Sequence, residues 1–351
     1  MAAKKDRSAD ARGRVRLDDV ADQAGVSIGT VSNVLNHPDR VAPATHARVM
    51  AAIDALGFTP NGMASSLARG ATRTVGMVVI DISNSLYVDM AMGAQREAHA
   101  HGYYLQLAAS DDDHALFDAH LRELNASRVA GVLAAPLDDR REALDQFRRQ
   151  GSAVVLLNYD MPNYDACRVL VDNEMAGYLA ARHLIDLGRT RIAFLFGREE
   201  LQPVALRRQG VHRAIEESKG AVQLDEYRSK TIWPESGFAI GRKLVALPKK
   251  RRPDAVLAVT DLLAMAVINE FVAKGIQVPQ DIAVSGLDHN SSAWGGAIPL
   301  TSVSMEGTTM GTEGLRLLLA EIEEDPDVHV HRTILLQPHL VPRESTIGRQ
   351  V

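Results

Sequence analysis

The side chains best spaced to do chemistry lie between Leu17 and Asn36, and the chemistry they suit is recognition of base edges. Ala21 is small enough for two helices to approach closely, and Gly25, four residues on, suits a turn with positive φ. Val31, six residues later, returns an apolar group to a shared core, and Ser27 is placed to cap the second helix. That helix then exposes Ile28, Gly29, Ser32, Asn33 and Asn36, short polar or small groups of the kind that reaches into a major groove. An ordinary helical hairpin shares this spacing, so the elements around it decide between the two.

At 351 residues the chain is too long for one ordinary core, and two or three domains are expected. Hydrophobic content of 46% and charge of 24% are typical of a soluble globular protein. One cysteine, Cys167, gives no disulfide framework and no thiol cluster for zinc, so neither a metal nor a cofactor is expected. No run of 18 apolar residues occurs and the N-terminus is charged, which predicts a protein neither exported nor membrane-spanning. A cytoplasmic location is the expectation, on the nucleoid when DNA is bound.

The net charge of −5 divides unevenly. Residues 1–74 carry ten Lys/Arg and seven Asp, a net of +3, which leaves −8 on the remainder. A small basic head on a large acidic body suits a protein that touches DNA with one end. Lys4, Lys5, Arg7, Arg12, Arg14 and Arg16 crowd the start, and residues 1–15 are expected to form a disordered basic tail.

A third helix is predicted over 44–56, with Val49, Ile53 and Leu56 on one face, ended by Gly57 and blocked by Pro60. The DNA-binding domain is thus placed at 16–60. Residues 61–70 have helical spacing but weak helicity, because Gly62, Ser65 and Ser66 disfavour it; they are expected to form a hinge helix. From Val75 onward, short β-branched runs alternate with amphipathic helices. The runs are 75–80, 103–108, 131–134, 153–157, 192–196, 255–259 and 282–285, with helical stretches at 88–101, 175–187, 206–218 and 262–274. Repeated βαβ units imply parallel sheets covered by helices on both faces. There are too many strands for one small sheet and a restart near Asp172, so two lobes with a cleft between them are expected. Cys167 falls in the connection between those lobes. Ligands of such sheets sit beyond the carboxyl ends of the strands.

At this point the chain resembles the lactose-repressor/galactose-repressor (LacI/GalR) family of bacterial transcription regulators. The motifs run over about residues 16 to 347. They include Asp19-Val20-Ala21, Ala24-Gly25-Val26-Ser27, Thr30-Val31-Ser32-Asn33-Val34-Leu35-Asn36 and Leu56-Gly57-Phe58-Thr59-Pro60-Asn61. Later come Val171-Asp172-Asn173, His183-Leu184-Ile185-Asp186-Leu187-Gly188, Thr260-Asp261, Gly286-Leu287-Asp288 and Arg343-Glu344-Ser345-Thr346. The resemblance implies an all-α helix-turn-helix head followed by an α/β core of two doubly wound parallel-sheet lobes, like periplasmic sugar-binding proteins. The core would occupy 71–351, with one lobe at about 71–172 and 303–333 and the other at about 173–302 and 334–347.

The resemblance also implies roles. Ile28, Gly29 and Asn33 match base-reading positions; Leu17, Thr30, Ser32, Asn36 and Thr45 match positions that hold phosphates or flank the bases. Leu67 matches the leucine that wedges into the minor groove, with Ala64 one turn earlier. Many relatives carry Arg where this chain has Asn33, and Asn prefers adenine where Arg prefers guanine. In the core, Tyr87 and Trp233 match aromatic faces against the ligand, Arg207 matches the arginine that grips ligand hydroxyls or carboxylates, and Asp288 matches the acidic residue that accepts hydrogen bonds from ligand hydroxyls. Asn158 and Thr260 stand at two more pocket positions, where Asp and Asn are usual. Trp294, beside Gly295 and Gly296, suits either the cleft mouth or packing at its edge.

The implied function is a repressor that binds a near-palindromic operator as a homodimer, its DNA affinity set by a sugar-like metabolite. A nucleoside would also satisfy the aromatic pair. A tetramer is not expected, because no C-terminal leucine heptad follows residue 347. No Gly-x-Ser-x-Gly elbow, Walker loop, His-Glu-x-x-His or Cys pair is present, and the twelve histidines are scattered, so an enzyme is not expected. A transport solute-binding protein would explain the core but not residues 16–70. A ligand-free nucleoid protein would explain the head but not the core.

Overall fold

The computed structural model describes residues 15–58, 72–289, 296, 298–325 and 327–349. The chain divides into two compact units, Met1–Thr72 and Arg73–Val351. Among the described residues no helix is long and apolar enough to cross a membrane. The expected tail and hinge helix, with Ala64 and Leu67, lie outside the described residues, as does Trp294.

The head is three helices: α1 (Leu17–Ala24), α2 (Ile28–Asn36) and α3 (Pro43–Leu56). Asp19 accepts the Arg16 backbone N–H at 2.7 Å, and Asp18 and Asp19 set negative charge against the α1 N-terminus. Gly25 ends α1 at φ 61°, a left-handed turn that costs glycine nothing. Ser27 then accepts the Thr30 N–H at 3.2 Å and starts α2. Pro43 opens α3 and Gly57 closes it at φ 62°. Val20, Ala21, Ala24, Val31, Val34, Val49, Ala52 and Ile53 form the buried core. Small Ala21 and Ala24 are what let α1 lie against both other helices.

The core unit has two six-stranded sheets. Sheet one holds β1 (Thr74–Val79), β2 (Tyr104–Ala109), β3 (Gly131–Ala134), β4 (Ala153–Leu157) and β5 (Cys167–Val171). Sheet two holds β6 (Arg191–Gly197), β7 (Gln223–Ser229), β8 (Ala255–Ala258), β9 (Ala283–Asp288) and β10 (Thr301–Ser304). The chain then returns to add β11 (Thr333–Leu336) to sheet one and β12 (His339–Val341) to sheet two. The orders are β11-β5-β4-β3-β1-β2 and β12-β10-β9-β8-β6-β7. All pairs are parallel except β10 with β12. The last crossing thus falls after Leu336, a few residues beyond the boundary expected near 333.

The helices are α4 (Ser85–Ala100), α5 (His114–Ala126), α6 (Arg141–Arg148), α7 (Asn173–Asp186), α8 (Gln202–Glu217), α9 (Pro234–Ala246), α10 (Asp261–Ala273), α11 (Gly307–Glu323) and α12 (Glu344–Ile347). Period-two alternation splits sheet one between two layers. Met77, Val79, Leu133 and Val155 face α4 and α11, while Val78, Val132, Val154 and Leu156 face α5 and α6. On sheet two, α7 and α8 cross so closely that a methyl at Gly177 would meet the Arg207 carbonyl oxygen at 1.9 Å. Only glycine permits that approach, and it fixes where α8 presents Arg207.

Cys167 opens strand β5, buried, rather than lying in an inter-lobe connection. The carboxyl-terminal motif closes sheet two. Ser345 Oγ donates to the Val284 carbonyl at 2.6 Å, and Thr346 Oγ1 lies 2.8 Å from His183 Nε2, so two motifs distant in sequence serve one clasp.

Candidate functional site

On the head, α2 carries the residues expected to read bases. Ile28 is 48% exposed, Gly29 and Asn33 are exposed, and Thr30 and Ser32 are half-buried. Thr30 Oγ1 lies 2.9 Å from Ser27 Oγ, so it belongs partly to the helix cap. Leu17 packs against the head core at the start of α1, and half-buried Thr45 sits in the first turn of α3. Asn36 is the last residue of α2. Ile28, at the N-terminus of α2, is about half exposed and is not part of the head's buried core.

In the core unit the carboxyl ends of the strands carry a chain of buried polar groups. Arg207, on α8, and Asp288, the last residue of β9, are each 3% exposed, and Arg207 Nη1 lies 2.9 Å from Asp288 Oδ1. Arg207 Nε donates to Asn173 Oδ1 at 3.0 Å, and Nη1 donates to the Val259 carbonyl at 2.8 Å. Asn173 Nδ2 in turn donates to Asn158 Oδ1 at 3.0 Å, and Asn84 Nδ2 donates to Asp288 Oδ2 at 3.2 Å. Asn84 and Asn158 follow β1 and β4 of sheet one; Arg207 and Asp288 belong with sheet two. The network therefore ties one lobe to the other through buried hydrogen bonds.

Each member is held by its local element. Asp81 accepts the Asn84 N–H at 3.2 Å and the Ser83 N–H at 2.8 Å, and Asn84 caps α4. Thr260 caps α10, next to the Val259 carbonyl that Arg207 uses, and its hydroxyl donates to the Ile232 carbonyl at 3.4 Å. Ile232 precedes half-buried Trp233, the residue that starts α9. Tyr87 is buried on the first turns of α4. Burial first, and then the Asp288 carboxylate, push its phenol above the ordinary range, with Arg207 opposing. Burial also raises Asp288 itself, against the pull of Arg207 and Asn84. Of the six expected ligand residues, Asn158, Arg207 and Asp288 belong to this network, Tyr87 feels the charges of Asp288 and Arg207, Thr260 follows the Val259 carbonyl that Arg207 uses, and Trp233 connects to it only through its chain neighbour Ile232.

Two features were not visible in the sequence. Backbone strain gathers here: Asp111, Asp112, Asn158, Arg198, Asp288 and His289 have φ of 48°, 63°, 52°, 54°, 116° and 43°, all at carboxyl ends of strands. Two further contacts bridge the lobes. Arg198 Nη1 lies 2.7 Å from Asp112 Oδ2, and Gln202 exchanges two bonds with the Asp160 backbone at 2.8 and 2.9 Å. A recess of about 270 Å³ opens beside Asp288, lined by Asp89, His289, Ser304, Glu306 and Thr309 among others. A larger one, about 440 Å³, lies between α5 and α6, where Arg140 and Arg141 already pair with Asp118 and Asp139; it is not where the buried charges are. The histidines are also less scattered than expected. His329 and His331 meet Cys167 and Glu321 away from the cleft.

Comparison with known proteins gives two domain matches. Residues 16–61 match the model of bacterial regulatory proteins, lacI family, and residues 181–346 match the periplasmic binding protein-like domain. The chain is 32% identical over 332 residues to the HTH-type transcriptional repressor PurR of Mannheimia succiniciproducens, covering 94% of this chain and 98% of that protein. Among solved structures, a transcriptional regulator CelR–cellobiose complex is 30% identical with a TM-score of 0.67, covering 95% of this chain and all of that one. A Lac repressor dimer bound to operator and the anti-inducer ONPF is 24% identical with a TM-score of 0.80, covering 95% of this chain and 99% of that one, a likeness of fold.

Proposed function

The chain belongs to the LacI family of bacterial regulatory proteins and is a ligand-binding transcriptional repressor rather than an enzyme, and from that premise we propose how its two units divide the work. Two copies pair, and each head reads half of a near-palindromic operator. Ile28, Gly29 and Asn33 contact base edges; Leu17, Thr30, Ser32, Asn36 and Thr45 position the backbone. Ala64 and Leu67 enter the central minor groove. The core binds a small polyhydroxylated metabolite between the lobes, against Tyr87, Asn158, Arg207, Trp233, Thr260 and Asp288. Its arrival changes how the lobes sit together and so changes operator affinity.

The observation that carries this reading is the buried chain Asn158–Asn173–Arg207–Asp288–Asn84. A buried charge pair is weak evidence for stability, since both ions must be desolvated. It makes sense where a ligand exchanges for its bonds. Hydroxyls offer both donors and acceptors, so a sugar could divide Arg207 and Asp288 between its oxygens while Tyr87 or Trp233 covers a C–H face. The relative bound to cellobiose supports this class. A nucleoside or nucleobase is the second reading, favoured by the similarity to PurR repressors.

The test is a thermal-shift panel on the full chain with cellobiose, ribose, galactosides, adenosine, guanosine and their bases. A ligand at 100 times its dissociation constant should stabilise the core by about 2.7 kcal/mol. No shift with any sugar, nucleoside or base would reject the cleft as a site for these classes.

A further inference from the structure

At the far end of sheet one from the cleft, four side chains from distant parts of the sequence converge. Cys167 opens β5, Glu321 lies in the last turn of α11, and His329 and His331 precede β11. One ligand atom from each falls within a sphere of contacts no wider than 4.8 Å. Cys167 Sγ is 3.4 Å from His329 Nε2; Glu321 Oε2 is 3.9 Å from both His329 Nε2 and His331 Nδ1. Tetrahedral zinc, with bonds of about 2.0–2.3 Å, needs its ligands about 3.3–3.8 Å apart, so the cluster need tighten by less than about 1 Å.

Three further observations point to a cation rather than to packing. First, Glu321 Oε2 and His331 Nδ1 are buried and have no hydrogen-bond partner, and both face into the cluster. Buried polar atoms without partners are rare, and a metal would satisfy both at once. Second, His329 Nδ1 lies 2.7 Å from Glu324 Oε2. With Nδ1–H donating to that carboxylate, the Nε2 lone pair faces the cysteine. A carboxylate behind a ligating histidine is the usual outer support of a metal site. Third, the charges balance: a thiolate and a carboxylate neutralise a divalent ion. Arg148 lies 3.6 Å from the other Glu321 oxygen and donates to His331 Nε2 at 3.1 Å. A metal on Nδ1 therefore requires that bond to break, so that the ring proton moves to Nε2 and turns to Asp165 Oδ1, 3.6 Å away.

We propose that Cys167, Glu321, His329 and His331 form a site for a zinc-class transition metal, separate from the effector cleft, that fastens the end of α11 and the segment before β11 to the start of β5. One sulfur, two imidazole nitrogens and one carboxylate oxygen suit a borderline-soft ion and fill its four positions. Such a closed set is structural rather than catalytic. On binding, the Cys167 thiol proton leaves to solvent and a metal–sulfur bond forms, with no redox change. β5 and β11 are neighbours in sheet one, so the ion would join the two chain passages that reach the lobe from opposite ends of the core sequence.

The single cysteine makes the test unambiguous. The full chain, stripped with chelator, is titrated with zinc chloride by calorimetry and with cobalt(II) by absorbance. The expected results are one zinc per chain that survives gel filtration, and a cobalt form with an intense near-ultraviolet thiolate band and tetrahedral visible bands. Cys167→Ser should lose the thiolate band, and Glu324→Gln should weaken zinc binding by about 10- to 100-fold while the fold stays intact. Absence of stoichiometric zinc, a bound cobalt without the thiolate band, or wild-type zinc affinity in Cys167→Ser would each overturn the proposal. If Cys167→Ser does not fold, the wild-type cobalt spectrum decides by itself.

Discussion

The two binding regions of this molecule prepare for their partners in opposite ways. On the head, Ile28 and Asn33 stand exposed on a helix whose other face is a finished core. In the cleft, Arg207 and Asp288 are buried and already form an ion pair at 2.9 Å. In the proposed function the head presents, whereas the core exchanges. A presented side chain adds a contact without disturbing the fold, so its loss should be felt by DNA alone. An exchanged one is part of the fold before the ligand arrives, so its loss should be felt by stability and by ligand together.

That contrast is sharpest at Asp288. Asp288→Ala leaves Arg207 charged, buried and without its carboxylate, which should destabilise the core by about 3–5 kcal/mol. It should also remove ligand response. Chemical denaturation followed by core fluorescence measures the first; a wild-type midpoint in the variant would mean that the pair is not part of the folded framework. Next comes Gly177→Ala. The added methyl would push α7 off the Arg207 carbonyl, and overpacking of this kind costs about 1–3 kcal/mol. Ligand affinity should fall with it, because Arg207 moves; unchanged calorimetry with an unchanged melting point would break the link between that helix crossing and the site.

Asn33→Arg tests the other side. Head stability should hardly change, since Asn33 is exposed, while one base position in each half-site should change preference by about 1–3 kcal/mol. Selection from randomised operators giving one consensus for both proteins would remove Asn33 from the reading set. The smallest effect is in pH. Burial holds the His183 ring below its usual 6.5, with Asp186 opposing. A folded value below the unfolded one means that the unfolded chain binds the proton first. Stability from this group is therefore complete above 6.5 and declines as the pH falls below it. The slope is at most one proton's worth, about 1.4 kcal/mol per pH unit, and less at a half-buried site open to solvent screening. His183→Gln should flatten melting temperature against pH over that range; an unaltered slope would assign it elsewhere.

How much of this was legible in the sequence follows from how local each feature is. The head was, because Gly25, Ser27 and Val31 act within one or two helical turns. The parallel sheets were, because their central strands are continuous apolar runs. The edge strand β7, Gln223-Leu-Asp-Glu-Tyr-Arg-Ser229, was not: one side is unpaired, so its residues are polar and no run marks it. Resemblance supplied Tyr87, Arg207 and Asp288 and put Asn173 in a motif without a ligand role, but it did not mark Asn84; Asn84 and Asn173 join the others only after both sheets have formed. Cys167 and His329 are 162 residues apart, and no local pattern could have placed them at 3.4 Å. The Arg343-Glu344-Ser345-Thr346 motif was visible at once, yet its work is to clasp sheet two rather than to bind.

The central claim is that exchange in the cleft is felt at the head. Its most direct measurement is operator affinity of the full chain, by fluorescence anisotropy at fixed salt, with and without the ligand found in the panel, for wild type and Asp288→Ala. The account predicts a change of about 5- to 150-fold in wild type, a coupling of about 1–3 kcal/mol. It predicts no ligand-dependent change in Asp288→Ala, whose head still binds the operator. Equal wild-type affinity with and without ligand, or a full response in the variant, would contradict it.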